Sequence, residues 1–123
     1  MMAKNSKEDL IIQDKAVDSE NEYNVGLALQ RLGYEFDYQH YLGGRGVRGS
    51  VIVDFLVYTN PLPVPLFVHG EYWHTGTKAM EDQLQMQYIE SRMRGTWDTP
   101  VIIWGNQCET EEDALAIVRE KLG

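Results

Sequence analysis

The chain has 123 residues, of which 43% are hydrophobic, and this is enough for one globular domain with its own core. Its formal net charge of −8 argues mildly against tight autonomous binding to nucleic acid, because phosphate contacts need Lys and Arg. The single cysteine, Cys108, excludes an internal disulfide framework and a four-cysteine zinc site, and it is predicted to be a small buried residue.

Nothing in the sequence predicts a membrane segment. No apolar run approaches the ~20 residues of a membrane span, and residues 1–5 lack the apolar core of a signal peptide. Together with the single cysteine, this predicts a cytoplasmic protein with no membrane partner.

The first third of the chain predicts a terminal segment, a helix and a strand. Residues 1–15 are interpreted as a mobile N-terminal segment, and residues 16–123 as a single domain. A helix is predicted to start at Asp18-Ser19-Glu20, to carry apolar residues at helical spacing, and to end at Gly33. Residues 34–41 alternate aromatic and polar side chains, as a half-exposed strand does.

Residues 43–50 contain four glycines and two arginines, Arg45 and Arg48, and predict a flexible, positively charged loop. One interpretation is a loose hairpin connection with solvated arginines. The other is a phosphate-contacting loop, because backbone N–H groups and guanidinium groups both suit phosphate oxygens. The position of the loop directly before the strand that contains Asp54 favours the second interpretation.

The remainder of the chain predicts three more strands and two helices. The strands cover residues 51–58, 65–70 and 100–104, and a proline-containing turn at 59–63 separates the first two. A helix over 78–94 is predicted to turn Met80, Leu84, Tyr88 and Ile89 inward, and a last helix runs to Leu122. The order αβββαβα predicts an α/β fold with a mixed sheet of about four strands, helices on both faces and one parallel crossover.

Asp54 is the first candidate site residue, because it lies alone inside the β-branched run from Val51 to Val57. An unpaired buried charge costs several kcal/mol or shifts its pKa. A metal ion shared with the stretch from Leu66 to His74 would supply a partner. The alternative is that backbone donors satisfy Asp54 and that the histidines are polar residues at a strand end.

The side chains that we expect to converge near this metal are Asp54, His69, Glu71, His74 and Asp82. Oxygen ligands suit Mg²⁺, and a histidine that titrates near neutrality suits general-base chemistry on water. His69 and His74 with a carboxylate are also conceivable zinc ligands, if both histidines turn to one face of an extended segment. Tyr72-Trp73 is either core or a stacking surface for bases.

These residues carry a resemblance to a known family. The string Val68-His69-Gly70-Glu71-Tyr72-Trp73-His74 resembles the His-Gly-Cys-Phe-Trp-His signature of the very short patch repair (Vsr) endonucleases, which belong to the PD-(D/E)XK nuclease superfamily. Residues 48–55 resemble the family's Gly-Arg-Pro-Asp-Phe segment, with Asp54 in the place of a metal ligand. The helix that carries Glu22 and the strand at 101–104 resemble further family elements.

The resemblance implies a restriction-endonuclease-like core and Mg²⁺-dependent nicking or cleavage of DNA, with Mn²⁺ as a substitute for Mg²⁺. It implies metal ligation by Asp54, Glu71 and the backbone carbonyl of Val68, and a water-holding role for Glu22. It places His74 as general base and His69 near the scissile phosphate. A related Vsr-like homing endonuclease group implies Asp82 as a last acid. The implied DNA contacts are Trp73, Tyr72, Arg45, Arg48 and Lys78.

The chain also departs from the family pattern. Glu71 replaces the family's cysteine, Trp73 stands where the wider superfamily has a lysine, and the Cys and His cluster for structural zinc is absent from the sequence. Lys78 or Gln83 is a candidate substitute for that lysine. Two alternatives therefore stand beside a Vsr-like endonuclease: a homing or phage recombination module with a separate DNA-recognition partner, and a non-catalytic nuclease-fold assembly module.

Overall fold

The computed structural model describes residues 10–13, 15–42, 51–70 and 76–123, with the backbone alone for residues 76–79. The elements, in chain order, are β1 (Ile11–Ile12), β2 (Lys15–Ala16), α1 (Glu20–Arg31), β3 (Phe36–Leu42), β4 (Val51–Val57), β5 (Val64–His69), α2 (Gly76–Arg92), β6 (Val101–Trp104), a 3-10 turn (Gly105–Gln107) and α3 (Glu111–Leu122). The predicted helices and strands are all present, and the predicted loop at residues 43–50 lies outside the described residues.

The main sheet has four strands in the order β3-β4-β5-β6. The first two pairings are antiparallel, and β5 pairs with β6 in parallel after the chain has passed through α2. The predicted mixed sheet with one parallel crossover is therefore confirmed. Within the described part of the chain, no helix is long and apolar enough to span a bilayer.

The sheet separates two hydrophobic cores, which confirms the prediction of helices on both faces. One core lies against α1 and α3, and the other lies against α2. The first includes Tyr38, Phe55, Leu66, Ile103, Cys108, Ala114 and Val118, all fully buried. The second includes Val53, Leu56, Phe67, Ile89 and Trp97. Cys108 is buried, as predicted.

The first turn of α1 is fixed by a side-chain cap. Ser19 has extended backbone and accepts a hydrogen bond from the backbone N–H of Glu22, so one orphan donor of the helix is satisfied. At the other end Gly33 has a φ of 82°, a conformation that glycine adopts without a Cβ clash. The predicted limits of this helix are therefore confirmed on physical grounds.

The end of the predicted mobile segment is instead part of the core. Leu10 and Ile12 are buried, and β1 and β2 form a short hairpin. A Cβ atom placed on Gly26 of α1 would come within 2.8 Å of Ile12 Cδ1, so the absent side chain makes room for this contact. The prediction missed it because an isolated apolar run does not reveal the surface that it covers.

The hairpin also covers one of the two edges of the sheet, the edge formed by β3. The Gln13 side chain accepts a hydrogen bond from Tyr38 N at 2.8 Å and donates one to the carbonyl of Phe36. Lys15 Nζ donates to the carbonyl of Tyr38 at 2.7 Å. These side chains occupy backbone groups of β3 that an exposed edge strand would offer to another chain.

The predicted inner face of α2 is wrong for Met80, Leu84 and Tyr88 and is confirmed for Ile89. Met80, Leu84 and Tyr88 are 63%, 58% and 51% exposed. The residues that pack on the sheet are Ile89, which is fully buried, with Met86 and Met93 beside it. The last helix, α3, packs on the other core, with Ala114 and Val118 buried and Ile117 and Leu122 packed against them.

Candidate functional site

The alternation of side chains along β3 and β4 is interrupted at Gln39 and Asp54. Phe55 faces the α1 core, whereas Val53, two residues earlier, belongs to the α2 core. The ladder pairs Tyr38 with Phe55 and His40 with Val53, and it skips the intervening Gln39 and Asp54. Gln39 has a φ of 59°, in the left-handed region, and β3 changes face there, because Tyr38 belongs to the α1 core and the His40 ring packs against Trp97 of the α2 core.

The Asp54 side chain occupies the point where β4 and β5 separate. The ladder between these strands covers residues 55–57 and 64–66 and stops before Asp54. Asp54 Oδ2 instead accepts a hydrogen bond of 2.8 Å from the backbone N–H of Val68. This is the backbone donor that one of the two sequence interpretations required, and it brings the predicted metal-site residues Asp54 and Val68 together.

The surroundings of Asp54 destabilise the ionised form of its carboxyl. Burial raises the pKa of the Asp54 carboxyl, the backbone N–H of Val68 lowers it, and the charges of Glu22 and Asp18 raise it, to a value of about 7. One hydrogen bond therefore does not offset the desolvation and the two neighbouring acids. A positive charge at this point would stabilise the ionised carboxylate.

Glu22 is held by α1 and by β3 at the same time. It belongs to the first turn of α1, where the helix dipole favours an anion, and it is buried. Tyr38, fully buried in β3, donates a hydrogen bond of 2.7 Å from its hydroxyl to Glu22 Oε1. Ser19 Oγ lies 3.5 Å from Glu22 Oε2. These contacts hold the carboxylate of Glu22, for which the resemblance implies a water-holding role at a metal.

Tyr38 and Asp18 are site residues that the sequence analysis missed. The Tyr38 hydroxyl also accepts a hydrogen bond from the backbone N–H of Asp18 at 3.3 Å, and Gln39 Nε2 donates to Asp18 Oδ2 at 3.1 Å. Burial and the bond to Glu22 raise the pKa of Tyr38 far above its usual value, so the hydroxyl keeps its proton and remains a donor. The sequence signal was only the position of Asp18 directly before the Ser19 cap.

His69 and Asp82 belong to the other side of the sheet. The His69 ring packs edge-on against Trp104, with centroids 5.4 Å apart, and lies 6.1 Å from the Phe67 ring of the α2 core. Asp82 is half-buried on α2, which packs on that face. The structure thus brings Asp54 and Val68 together and places Glu22 near enough to raise the pKa of Asp54, whereas His69 and the helix that carries Asp82 lie on the other side of the sheet.

Several predicted site residues fall outside what the structure describes. Arg45, Arg48, Glu71, Tyr72, Trp73 and His74 are not among the described residues, and the side chain of Lys78 is not described. Gln83, the other candidate substitute for the superfamily lysine, is exposed on α2. The roles predicted for these residues remain predictions.

The oxygen atoms near the point where β4 and β5 separate, which we call the strand fork, suit a hard cation that keeps most of its water. Among the described side chains, no three His, Cys, Asp or Glu residues converge tightly enough to hold a metal ion. Mg²⁺ takes one or two carboxylates and several waters, so Asp54 and Glu22 with the adjacent backbone of Val68 match its chemistry. A soft or tetrahedral site for zinc does not match these oxygen donors.

Comparisons with known proteins do not identify a family. No protein-family model matches the chain, and no curated protein matches it. It is similar in structure to a crystal structure of a protein of unknown function, AF1548, with a TM-score of 0.46 and 13% sequence identity. That alignment covers 70% of this chain and 47% of the other, so this chain spans about half the length of that protein.

Proposed function

We propose that this protein is a metal-dependent phosphodiester hydrolase of the Vsr-like, PD-(D/E)XK type, with DNA as its substrate. Asp54 and Glu22 hold a hydrated Mg²⁺, for which Mn²⁺ can substitute. The observation that carries the proposal is the environment of Asp54, a half-buried carboxyl whose pKa is raised to about 7 by burial and by the charges of Glu22 and Asp18.

Electrostatics supports a cation at this fork. Two carboxylates brought close in a low-dielectric setting repel one another, and a packed core normally avoids this arrangement. Here it is stabilised by specific contacts, namely the Tyr38 hydroxyl on Glu22 and the Val68 N–H on Asp54. A carboxyl with a raised pKa, such as Asp54, is found more often at a functional site than elsewhere on a protein.

Each residue has a defined task in this proposal. Asp54 binds the ion directly, since its carboxylate lies where the strands separate. Glu22, held by Tyr38 and Ser19, accepts hydrogen bonds from water around the ion and thereby orients that water. When bound, Mg²⁺ supplies charge to a phosphoryl oxygen and lowers the pKa of a nearby water. His74, on the resemblance, takes the proton from the attacking water.

The choice of DNA as substrate is supported by the sequence. The string from His69 to His74 resembles the Vsr signature, and Arg45 and Arg48 directly precede the Asp54 strand. A net charge of −8 is compatible with this, because metal-binding carboxylates contribute to it and the metal offsets part of their charge. A separate DNA-recognition partner would supply the specificity that a small acidic chain lacks.

Nicking of supercoiled plasmid with Mg²⁺ tests the proposal. Wild type should convert the plasmid to open circles, and EDTA should stop the reaction. Asp54→Ala, Glu22→Gln and His74→Ala should each reduce the rate by at least about a hundredfold, in the range expected when charge-stabilising or general-base groups are lost. Glu120→Gln, on an exposed residue of α3, is the matched control and should retain activity. Equal activity in all variants would reject the proposal.

A further inference from the structure

The outer face of α2 carries an apolar stripe that nothing in the described part of the chain covers. The stripe consists of Met80, Leu84 and Tyr88, which follow one another at intervals of one helical turn and are each more than half exposed. The opposite face of the same helix already packs on the sheet through Ile89. The helix is therefore apolar on two sides, and only one of them is used within the described fold.

The stripe borders a shallow, open depression of about 430 Å³, lined by Val51, Glu81, Leu84, Gln85 and Tyr88. Scattered single apolar residues on a surface need no explanation, but an aligned, contiguous series favours an interaction site. Phosphate contacts need cations, and this surface is apolar with an acid beside it, so it does not suit nucleic acid. A second apolar helix face suits it.

The charges beside the stripe favour one specific partner. Glu81 and Arg92 are both exposed and flank the stripe on the same side, about 60° and about 80° round the helix from Leu84. They lie at opposite ends of the stripe, about 16 Å apart along the helix axis. A helix that runs antiparallel to α2 would therefore meet an acid at one end and a base at the other.

We propose that the α2 stripe is a homodimer interface, in which α2 of a second copy packs antiparallel across a twofold axis. With the axis between Leu84 and Tyr88, each Leu84 contacts the other copy's Tyr88, and each Glu81 lies opposite the other copy's Arg92. One twofold contact makes both ion pairs, because an isologous interface uses the same surface twice. A parallel arrangement would leave the oppositely charged residues at different levels. The proposal does not depend on the nuclease function.

Sedimentation velocity over a concentration series from about 5 µM to about 500 µM tests the interface, because small helix contacts are weak and need high concentration to populate. Wild type should shift from monomer to dimer with rising concentration. Leu84→Lys should raise the dissociation constant at least about tenfold, since it buries a charge at the centre of the contact. Leu84 is more than half exposed, so this variant should fold normally, and circular dichroism checks that it does.

A charge exchange provides the specific test of the antiparallel arrangement. Glu81→Arg and Arg92→Glu should each weaken the dimer, because each places like charges opposite one another twice. The double variant Glu81→Arg/Arg92→Glu should recover most of the wild-type dissociation constant. Glu111→Arg, at an exposed position on α3, is the control and should leave self-association unchanged.

Three results would overturn the proposal. The first is a chain that stays monomeric at every concentration, which would mean that another protein or water covers the stripe. A dimer that Leu84→Lys does not weaken would place the interface elsewhere. A double charge variant no better than its single variants would reject the antiparallel arrangement.

Discussion

The hydroxyl of Tyr38 donates a hydrogen bond of 2.7 Å to Glu22 Oε1, and this bond joins the sheet to the first turn of α1 at the candidate site. Both groups are buried, so neither has bulk water as a ready alternative partner. The bond holds the Glu22 carboxylate, whose charge helps to raise the pKa of Asp54. It is therefore the contact through which the fold positions the second acid of the proposed metal centre.

Removing that hydroxyl should weaken metal binding more than it alters the fold. Tyr38→Phe keeps the ring and should lower the free energy of unfolding by about 1–3 kcal/mol, because the hydroxyl donates a buried bond to Glu22 and accepts a longer one from the backbone N–H of Asp18. The affinity for Mn²⁺, measured by titration calorimetry, should fall about fivefold or more, because Glu22 loses its orientation. Tyr58→Phe is the matched control, since Tyr58 is exposed and bonded to Asp37. An unchanged affinity in Tyr38→Phe would contradict the positioning role.

Asp54→Asn should stabilise the metal-free protein at alkaline pH. A carboxyl whose pKa rises from 3.8 to about 7 on folding holds its proton more tightly in the folded state. Stability is therefore lost as the pH rises from about 4 to about 7, by up to roughly 4 kcal/mol. Asn carries no charge and still offers an oxygen to Val68. Its stabilising effect should be at least about 2 kcal/mol at pH 8 and should shrink towards pH 4.

Urea unfolding in EDTA at several pH values measures this difference. Asp98→Asn is a suitable control, because Asp98 is exposed and also accepts a backbone N–H, that of Thr99. The control should show no such pH-dependent stabilisation. Equal stability of wild type and Asp54→Asn at every pH would show that folding does not raise the pKa of Asp54.

Metal affinity should depend on pH through the same carboxyl. Below about pH 7 the ion must displace the proton of Asp54, so the Mn²⁺ affinity should fall by about tenfold for each unit of decreasing pH. Above that pH it should level off. Calorimetry in two buffers of different ionisation enthalpy should detect about one proton released per ion near pH 6. A flat affinity between about pH 5.5 and about pH 8 would mean that Asp54 does not bind the metal.

A helix substitution tests whether the N-terminal hairpin docks as described. Gly26→Ala in a free helix surface is stabilising by about 1 kcal/mol, because alanine favours helix. Here the new Cβ would lie 2.8 Å from Ile12 Cδ1, so the substitution should instead destabilise by about 1–3 kcal/mol. Ile12→Val removes that Cδ1 atom and keeps Cγ1, which lies 2.9 Å from the new Cβ, so it should remove part of the penalty in the double variant. A stabilising effect of Gly26→Ala alone would indicate that residues 10–12 are not packed there.

The element order was predictable because each element has its own local signal. The apolar spacing of α1 with its Ser19 cap and Gly33, and the β-branched run of β4, are examples. Asp54 stood out as a candidate because a lone acid in such a strand contradicts the pattern around it. These signals lie within a few residues of one another, so tertiary structure is not needed to interpret them.

The face of α2 was not predictable in the same way. The helix has two apolar arcs, one through Leu84 and one through Ile89, and spacing alone does not say which one meets the sheet. Tyr38 was missed for a different reason. Its role depends on a contact with Glu22, 16 residues earlier on α1, and local spacing does not predict which helix residue meets which strand residue.

The central claim is that Asp54 and Glu22 bind one shared divalent cation, and a double-mutant cycle on Mn²⁺ affinity tests it most directly. Titration calorimetry at about pH 8 would compare wild type, Asp54→Asn, Glu22→Gln and the double variant, with Glu120→Gln as control. If both residues serve one ion, the double variant should lose little more affinity than the worse single variant. Losses that simply add, or no binding by wild type at millimolar Mn²⁺, would contradict the account.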